Sequence, residues 1–206
     1  MQLAEALAAL PLIAILRGVE PEEAVEVATI LYEAGFRIVE VPLNSPSPFV
    51  SIERIARRFE GRLVAGAGTV LQVSEVAQVA QARGGLVVSP NFDVEVLRAT
   101  KEEGLISIPG VATPSEAFAA IAAGADAIKL FPAEMITPLV VRSLRAVLPK
   151  AVKLIPVGGI TPSNTKAYRD AGADGFGIGS ALFKPGRTLA EIADAAQAFV
   201  AAARAS

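Results

Sequence analysis

The chain contains no cysteine and no histidine. The first absence removes disulfides and thiolate nucleophiles, and the second removes imidazole bases and Ser-His triads. Together they remove metal sites built on His or Cys. Catalysis would fall to Lys, Glu, Asp, Arg, Tyr, Ser or Thr, with a carboxylate-held Mg²⁺ or Mn²⁺ still open. A basic excess is also missing. Nineteen Lys and Arg against 21 Asp and Glu leave a net charge of −2, which argues against nucleic acid as a partner. Arg54, Arg57 and Arg58 come nearest to a basic cluster and fit the solvated face of one helix. The apolar stretch "ALAALPLIAIL" near the N-terminus has no basic segment before it, is bounded by Glu5 and is broken by Pro11. It is too short to span a bilayer and reads as a short helix followed by a strand. These features predict a cytoplasmic protein with no membrane partner.

What is present is a large apolar fraction, 52% of 206 residues, enough for one sizeable core. The length favours a single domain over residues 1–206. One phrase recurs along the chain: a helix end, a glycine, then a short apolar run. It appears as "EAGFRIVEVP", "ARGGLVVSP", "EEGLISIPG", "AAGADAIKLFP" and "DAGADGFGIGS". Gly35, Gly84, Gly104, Gly124 and Gly172 suit left-handed helix C-termini. The runs are nearly continuous in apolar residues, as expected of strands buried on both faces. Amphipathic segments lie between them, with Pro21, Pro114 and Pro162 at their starts. Eight strands are predicted, at about 12–16, 36–41, 63–67, 86–89, 105–108, 125–130, 153–157 and 174–178, each followed by a helix. Strand–helix alternation implies parallel pairing, and eight units imply an α/β fold of the (β/α)₈ barrel type, a TIM barrel. A doubly wound open sheet is the alternative, but the first strand-to-helix turn, "RGVEPEE", lacks a glycine-rich dinucleotide fingerprint.

The repeat also gives a register. Five residues past the glycine stand Glu40 in the second strand and Lys129 in the sixth. Alternate strands of such a barrel share interior layers, so the two charges should meet at the C-terminal mouth, where active sites of this fold lie. Lys129 sits among Ile128, Leu130 and Phe131. A snorkelling lysine or a structural ion pair would explain it blandly. An apolar site instead lowers the amine pKa and makes a nucleophile suited to a Schiff base with a carbonyl substrate. Glu40 would then move protons as general acid and base.

Two glycine-rich turns, "PVGGIT" and "GIGSALF", follow the last two strands, the second opening a short helix. They either make tight turns only, or form the phosphate site common to these barrels from Gly158, Gly159, Gly179 and Ser180. The second reading points to a small phosphorylated substrate. Arg17, Asn44 and Thr69 are further polar residues at strand ends. Arg17 could hold a carboxylate or repel a proton from Lys129, and Thr69 could bind a carboxylate or cap a helix. A phosphate-binding isomerase or epimerase on the same barrel is the competing function.

The stretches "AILRG", "VEVPLNSP", "GAGTVL", "VVSPNF", "IPGVATPSEA", "IKLFPAE", "PVGGITPSN" and "GIGSALF" together resemble the 2-keto-3-deoxy-6-phosphogluconate aldolase family of class I aldolases, in order from Leu12 to Phe183. The resemblance implies a (β/α)₈ barrel, a homotrimer and metal-independent chemistry without a cofactor. It makes Lys129 the Schiff-base lysine and Glu40 the proton-transfer group. It puts Thr69, Pro90 and Phe131 at the pyruvate end, Arg17 beside the lysine, and the phosphate against Gly158, Gly159, Gly179 and Ser180. Gluconate-type members carry an arginine where this chain has Asn44, and a threonine where it has Val157. These two specificity positions resemble the galactonate-type branch, whose substrate is the C4 epimer. The expected reaction is reversible cleavage of that six-carbon phospho acid to pyruvate and D-glyceraldehyde 3-phosphate. The gluconate epimer, substrate of the Entner–Doudoroff pathway, and dual specificity are the alternatives.

Overall fold

The computed structural model describes residues 1–205. Its strands are β1 (Leu12–Ile15), β2 (Ile38–Pro42), β3 (Val64–Gly68), β4 (Leu86–Val88), β5 (Ile106–Ile108), β6 (Gly110–Val111), β7 (Ile128–Leu130), β8 (Leu154–Pro156) and β9 (Phe176–Ile178). The helices are α1 (Leu3–Ala9), α2 (Ala24–Ala34), α3 (Pro48–Arg58), α4 (Val73–Gln81), α5 (Val94–Glu102), α6 (Pro114–Ala122), α7 (Pro138–Val147), α8 (Thr165–Asp170) and α9 (Leu189–Arg204). Every strand pair among the described residues is parallel. Six strands form a half-barrel in the order β5-β4-β3-β2-β1-β9, and β6-β7-β8 form a second sheet.

Several expectations need correction. The fifth predicted strand, 105–108, is found as β5, and the two-residue β6 beyond it is additional; Pro109 lies between them and has no N–H to give a ladder. Several strands begin later than predicted. The residue after the helical glycine is still tied to the helix: Phe36 N donates to Leu31 O (2.9 Å), Leu105 N to Thr100 O (3.0 Å), Ala125 N to Ala120 O (3.1 Å) and Ala173 N to Tyr168 O (3.0 Å). This is the bond that closes a helix C-terminus in the Schellman manner. Finally, Gly84 is not a left-handed cap. That conformation falls to Arg83 (φ 59°), and Gly84 N makes the closing bond to Val79 O (2.9 Å). Gly84 is needed for space, since a Cβ there would lie 2.6 Å from Val79 Cγ1.

Of the predicted helix starts, Pro114 opens α6 behind a Thr113 cap. Pro21 and Pro162 lie in turns preceding α2 and α8. No short helix follows Gly179. The segment makes one turn, with Leu182 N and Phe183 N both donating to Gly179 O.

The strands separate two apolar layers. The concave side gathers Ile13, Ile15, Ile38, Val64, Leu86, Ile108 and Ile155 with Leu3, Ala6 and Leu7 of α1. The convex side packs Leu12, Ala14, Val39, Ala65, Val87 and Leu154 against the helices. Burial on both faces is why the strands read as continuous apolar runs. Polar residues on the concave side are therefore exceptions that call for a chemical reason. No helix among the described residues is long and apolar enough to cross a membrane.

Candidate active site

Glu40 and Lys129 are two such exceptions, with 2% and 6% of their surface exposed. Glu40 pairs in register with Ile15 on one side and Gly66 on the other. Lys129 pairs with Gly110 and Ile155. Neither belongs to any ion pair among the described residues, so the structural ion pair weighed from sequence is not formed. Glu40 Oε2 is buried without a hydrogen-bond partner. Lys129 Nζ lies 4.6 Å from the centre of the Phe131 ring, a cation–π distance.

The electrostatics follow from this burial. Desolvation pushes the Lys129 amine below its ordinary range; Glu40 opposes the shift, and Arg17 adds to it by like-charge repulsion. Desolvation pushes the Glu40 carboxyl up, opposed by the positive charges of Lys129 and Arg17. The two groups thus sense each other and a common third charge. A lysine with a depressed pKa beside a carboxyl with a raised one is an arrangement suited to proton transfer, because burial brings their proton affinities closer together.

Arg17 is exposed, and its Nη1 donates to Asn44 Oδ1 at 2.5 Å. One residue further on, Gly18 N donates to Ser45 Oγ at 2.9 Å. The loops after β1 and β2 are therefore clasped at two successive positions. Thr69 follows β3 with φ 57°, a left-handed conformation that a β-branched residue rarely takes. It caps no helix, because the N-cap of α4 is Gln72. Such strain clusters at functional sites. Ser89 Oγ donates to Val70 O at 2.7 Å and ties the turn after Thr69 to β4, just before the half-buried Pro90.

A cleft of about 390 Å³ opens at the C-terminal ends of β1 and β7–β9. Arg17, Phe131, Val157, Gly158, Gly159, Gly179 and Ser180 all line it. Glu40, Lys129, Asn44, Thr69 and Pro90 are not on its wall, although Ile15, Phe131 and Arg17 connect the wall to the buried pair. Gly158 and Gly159 take φ of 105° and 61°, which glycine alone adopts readily. Asn164 braces their turn, donating to Gly159 O at 2.8 Å. Val157 is buried, bridges Gly177 in parallel and closes the cleft floor. Four polar wall residues were not singled out from sequence: Glu134, Thr161, Lys184 and Arg187. Glu134 lies over the glycine turn, where a Cβ on Gly159 would stand 3.0 Å from its Cγ. Arg187 is committed to the Ala181 and Leu182 carbonyls at 2.9 and 2.8 Å, and Lys184 is exposed at the rim. Their signals were adjacency alone: Glu134 stands three residues past Phe131, and Lys184 four past Ser180. A second cavity, of about 320 Å³ and lined by Met1, Glu60, Arg83 and Ile106, holds none of the candidate residues. Among the described residues no acidic group of three or more is placed to hold a metal ion.

The comparisons with known proteins agree in direction. The family model described as KDPG and KHG aldolase matches residues 3–197. A Rhizobium meliloti (strain 1021) protein named "Probable 2-dehydro-3-deoxy-6-phosphogalactonate aldolase" is 45% identical over 192 residues, 93% of this chain and 91% of the relative. A solved structure described as "Native KDPGal structure" superposes with a TM-score of 0.94 at 43% identity, covering 95% of each chain. A Legionella pneumophila KDPG aldolase, solved "with pyruvate captured at low pH as a covalent carbinolamine intermediate", superposes with a TM-score of 0.86 at 28% identity, covering 97% of this chain and 98% of that one. Matched along nearly its whole length, the chain belongs to the KDPG and KHG aldolase family.

Proposed function

We propose that the protein is a class I aldolase that cleaves 2-dehydro-3-deoxy-6-phosphogalactonate to pyruvate and D-glyceraldehyde 3-phosphate. The observation that carries this is Lys129: buried, without an ion pair, stacked on Phe131 and depressed in pKa. A free amine attacks the C2 carbonyl and forms a carbinolamine, which loses water to give an iminium ion. Glu40 takes the proton of the C4 hydroxyl, and the C3–C4 bond breaks with its electron pair drawn into the iminium. Glyceraldehyde 3-phosphate leaves. Glu40 returns the proton to C3 of the enamine, and water hydrolyses the resulting imine to pyruvate and free Lys129. Burial, helped by the like charge of Arg17, favours the unprotonated amine, and Arg17 meets the substrate carboxylate, with Thr69 and Pro90 beside it. The phosphate lies against Gly158, Gly159, Gly179 and Ser180, with Lys184 as a cation on the rim of the same cleft. The covalent carbinolamine captured in the Legionella relative supports the imine route, and the names of the nearer relatives support the galactonate substrate.

The same reading includes a single domain over residues 1–206 whose two sheets close into one (β/α)₈ barrel. The short Ile106–Val111 segment joining them and the Val157–Gly177 bridge support closure. It also includes a cytoplasmic homotrimer. The outward faces of Met135 and Leu139, 72% and 74% exposed, suit a covered interface.

Sodium borohydride added with pyruvate should reduce the imine and fix a pyruvate-derived mass on Lys129, located by peptide mass spectrometry. An adduct of equal yield in Lys129→Met would refute the role of the lysine. Comparing kcat/KM on the two C4 epimers decides the substrate, and equal or higher values on the gluconate epimer would overturn the galactonate assignment.

A further inference from the structure

Gly68 closes β3, and its chemistry lies in the atoms it lacks. A Cβ on Gly68 would fall on the Glu40 carboxylate. The three heavy atoms nearest to it would be Oε2, Cδ and Oε1 of that one side chain, with Oε1 at 3.0 Å. Gly66 and Gly110 are needed for a different reason, and a Cβ on Gly177 would meet only the apolar side chains of Val157 and Ile15. A Cβ on Gly66 would run into the Leu86 backbone, and one on Gly110 into the Pro90 backbone, so both permit one chain segment to approach another. Gly68 meets no backbone among those nearest atoms. Its own φ lies outside the left-handed region, so its conformation does not demand glycine either. The backbone around it is fixed: Leu43 N donates to Gly68 O at 2.8 Å, and Pro42 pairs with it in register. The next residue, Thr69, holds the strained φ of 57°. A rigid strand end thus presents an empty Cβ position. Glu40 Oε2 fills it, buried and without a hydrogen-bond partner.

We propose that Gly68 is a positioning residue: the missing Cβ forms the seat that holds the Glu40 carboxylate at the reacting carbons. The seat restricts the carboxylate by shape and makes no hydrogen bond to Oε2, which leaves that oxygen available to carry the proton in transit. The catalytic consequence rests on the acid/base reading of Glu40, but the steric claim does not. Gly68→Ala displaces the carboxylate and leaves Lys129 on its own strand, β7, untouched. Imine formation and proton transfer should therefore separate.

The test uses the full chain and pyruvate. Borohydride trapping reports the imine, and exchange of the pyruvate methyl protons with D₂O, followed by NMR, reports proton transfer at C3. In Gly68→Ala, trapping on Lys129 should persist while exchange falls by at least about 100-fold, the scale of a lost general acid/base. Exchange near the wild-type rate would overturn the proposal, as would an equal loss of trapping and exchange, which marks a merely structural role. Melting temperatures keep the test decisive if Gly68→Ala folds poorly. The alanine should lower the melting temperature beside Glu40 and be tolerated in a Glu40→Ala background. Equal losses in both backgrounds would overturn it. Absence of trapping and exchange in the wild-type protein would instead refute the aldolase reading, while the melting comparison would still decide the seat.

Discussion

Replacing Glu40 and Lys129 together by methionine measures what the candidate site costs the fold. Both side chains are buried, neither joins an ion pair among the described residues, and Glu40 Oε2 lacks a partner. Their mutual attraction, that of Arg17 for Glu40 and the Phe131 ring against Lys129 offset the desolvation of two charges. Exchange of buried charged side chains for apolar residues of similar volume is neutral or stabilising by about 1–4 kcal/mol even where the charges are paired. Methionine is unbranched like both residues and adapts to irregular space. Taking about 2 kcal/mol from that range, and roughly 2–4 °C per kcal/mol for a chain of this size, the melting temperature should rise by about 4–8 °C. The pH dependence is also fixed in sign. The folded pKa of Glu40 is raised, so its contribution to stability is fully present below the unfolded value and lost as pH rises through the folded one. The folded pKa of Lys129 is lowered, so its penalty is present below that value and relieved as pH rises toward the unfolded one. The gain in the double variant is therefore largest near neutral pH and shrinks in acid as Glu40 takes up its proton. Scanning calorimetry across pH, with borohydride trapping to verify loss of the imine, makes the comparison. A double variant no more stable than wild type at pH 7 would refute the view that the pair is held at the expense of stability.

Three further outcomes are expected. Arg17→Met removes the like charge beside Lys129 and lets the amine pKa rise, so the acid limb of the pH–trapping profile should move to higher pH; an unmoved limb contradicts the electrostatic role. Gly177→Ala would bring a Cβ to 2.6 Å from Val157 Cγ2, an overpacking worth about 1–3 kcal/mol. Denaturant unfolding should show that loss, and Val157→Ala in the same chain should recover most of it. Lys184→Ala removes the rim cation of the glycine cleft. It should raise KM for the phosphorylated substrate roughly tenfold, as for a lost charged hydrogen bond, with kcat little changed and pyruvate trapping unaffected. A fall in kcat at constant KM would place the lysine elsewhere in the reaction.

Much of this was legible in the chain because its physics is local. A helix end needs a left-handed residue, and a strand buried on both faces must be apolar, so the glycine-led repeat announced parallel strands and helices. Counting from the glycine put Glu40 and Lys129 in equivalent positions, and both are buried on the concave side. Where local rules compete, the reading slipped. Gly84 resembles the other caps in sequence, but the helix before it ends one residue earlier, and Arg83 takes the turn. Pro109 is within the phrase "EEGLISIPG", yet the extra strand β6 beyond it exists through the pairing of Gly110 and Val111 with β7, which the phrase does not contain. Glu134 and Lys184 stand a few residues from Phe131 and Ser180, with nothing in their spacing to tell a cleft wall from a solvated rim.

The sequence by itself determined the strand–helix alternation, the poverty of alternatives to lysine and carboxylate chemistry, and the family, since each depends on residue identity and order. Tertiary structure alone decided that Lys129 and Glu40 form no ion pair, that Arg17 is held by Asn44 across two loops, and that Gly68 leaves room for a carboxylate from the neighbouring strand. Those facts are distances between segments far apart in the chain. They are set by how curved parallel strands bring side chains to one face, which no count along the sequence contains.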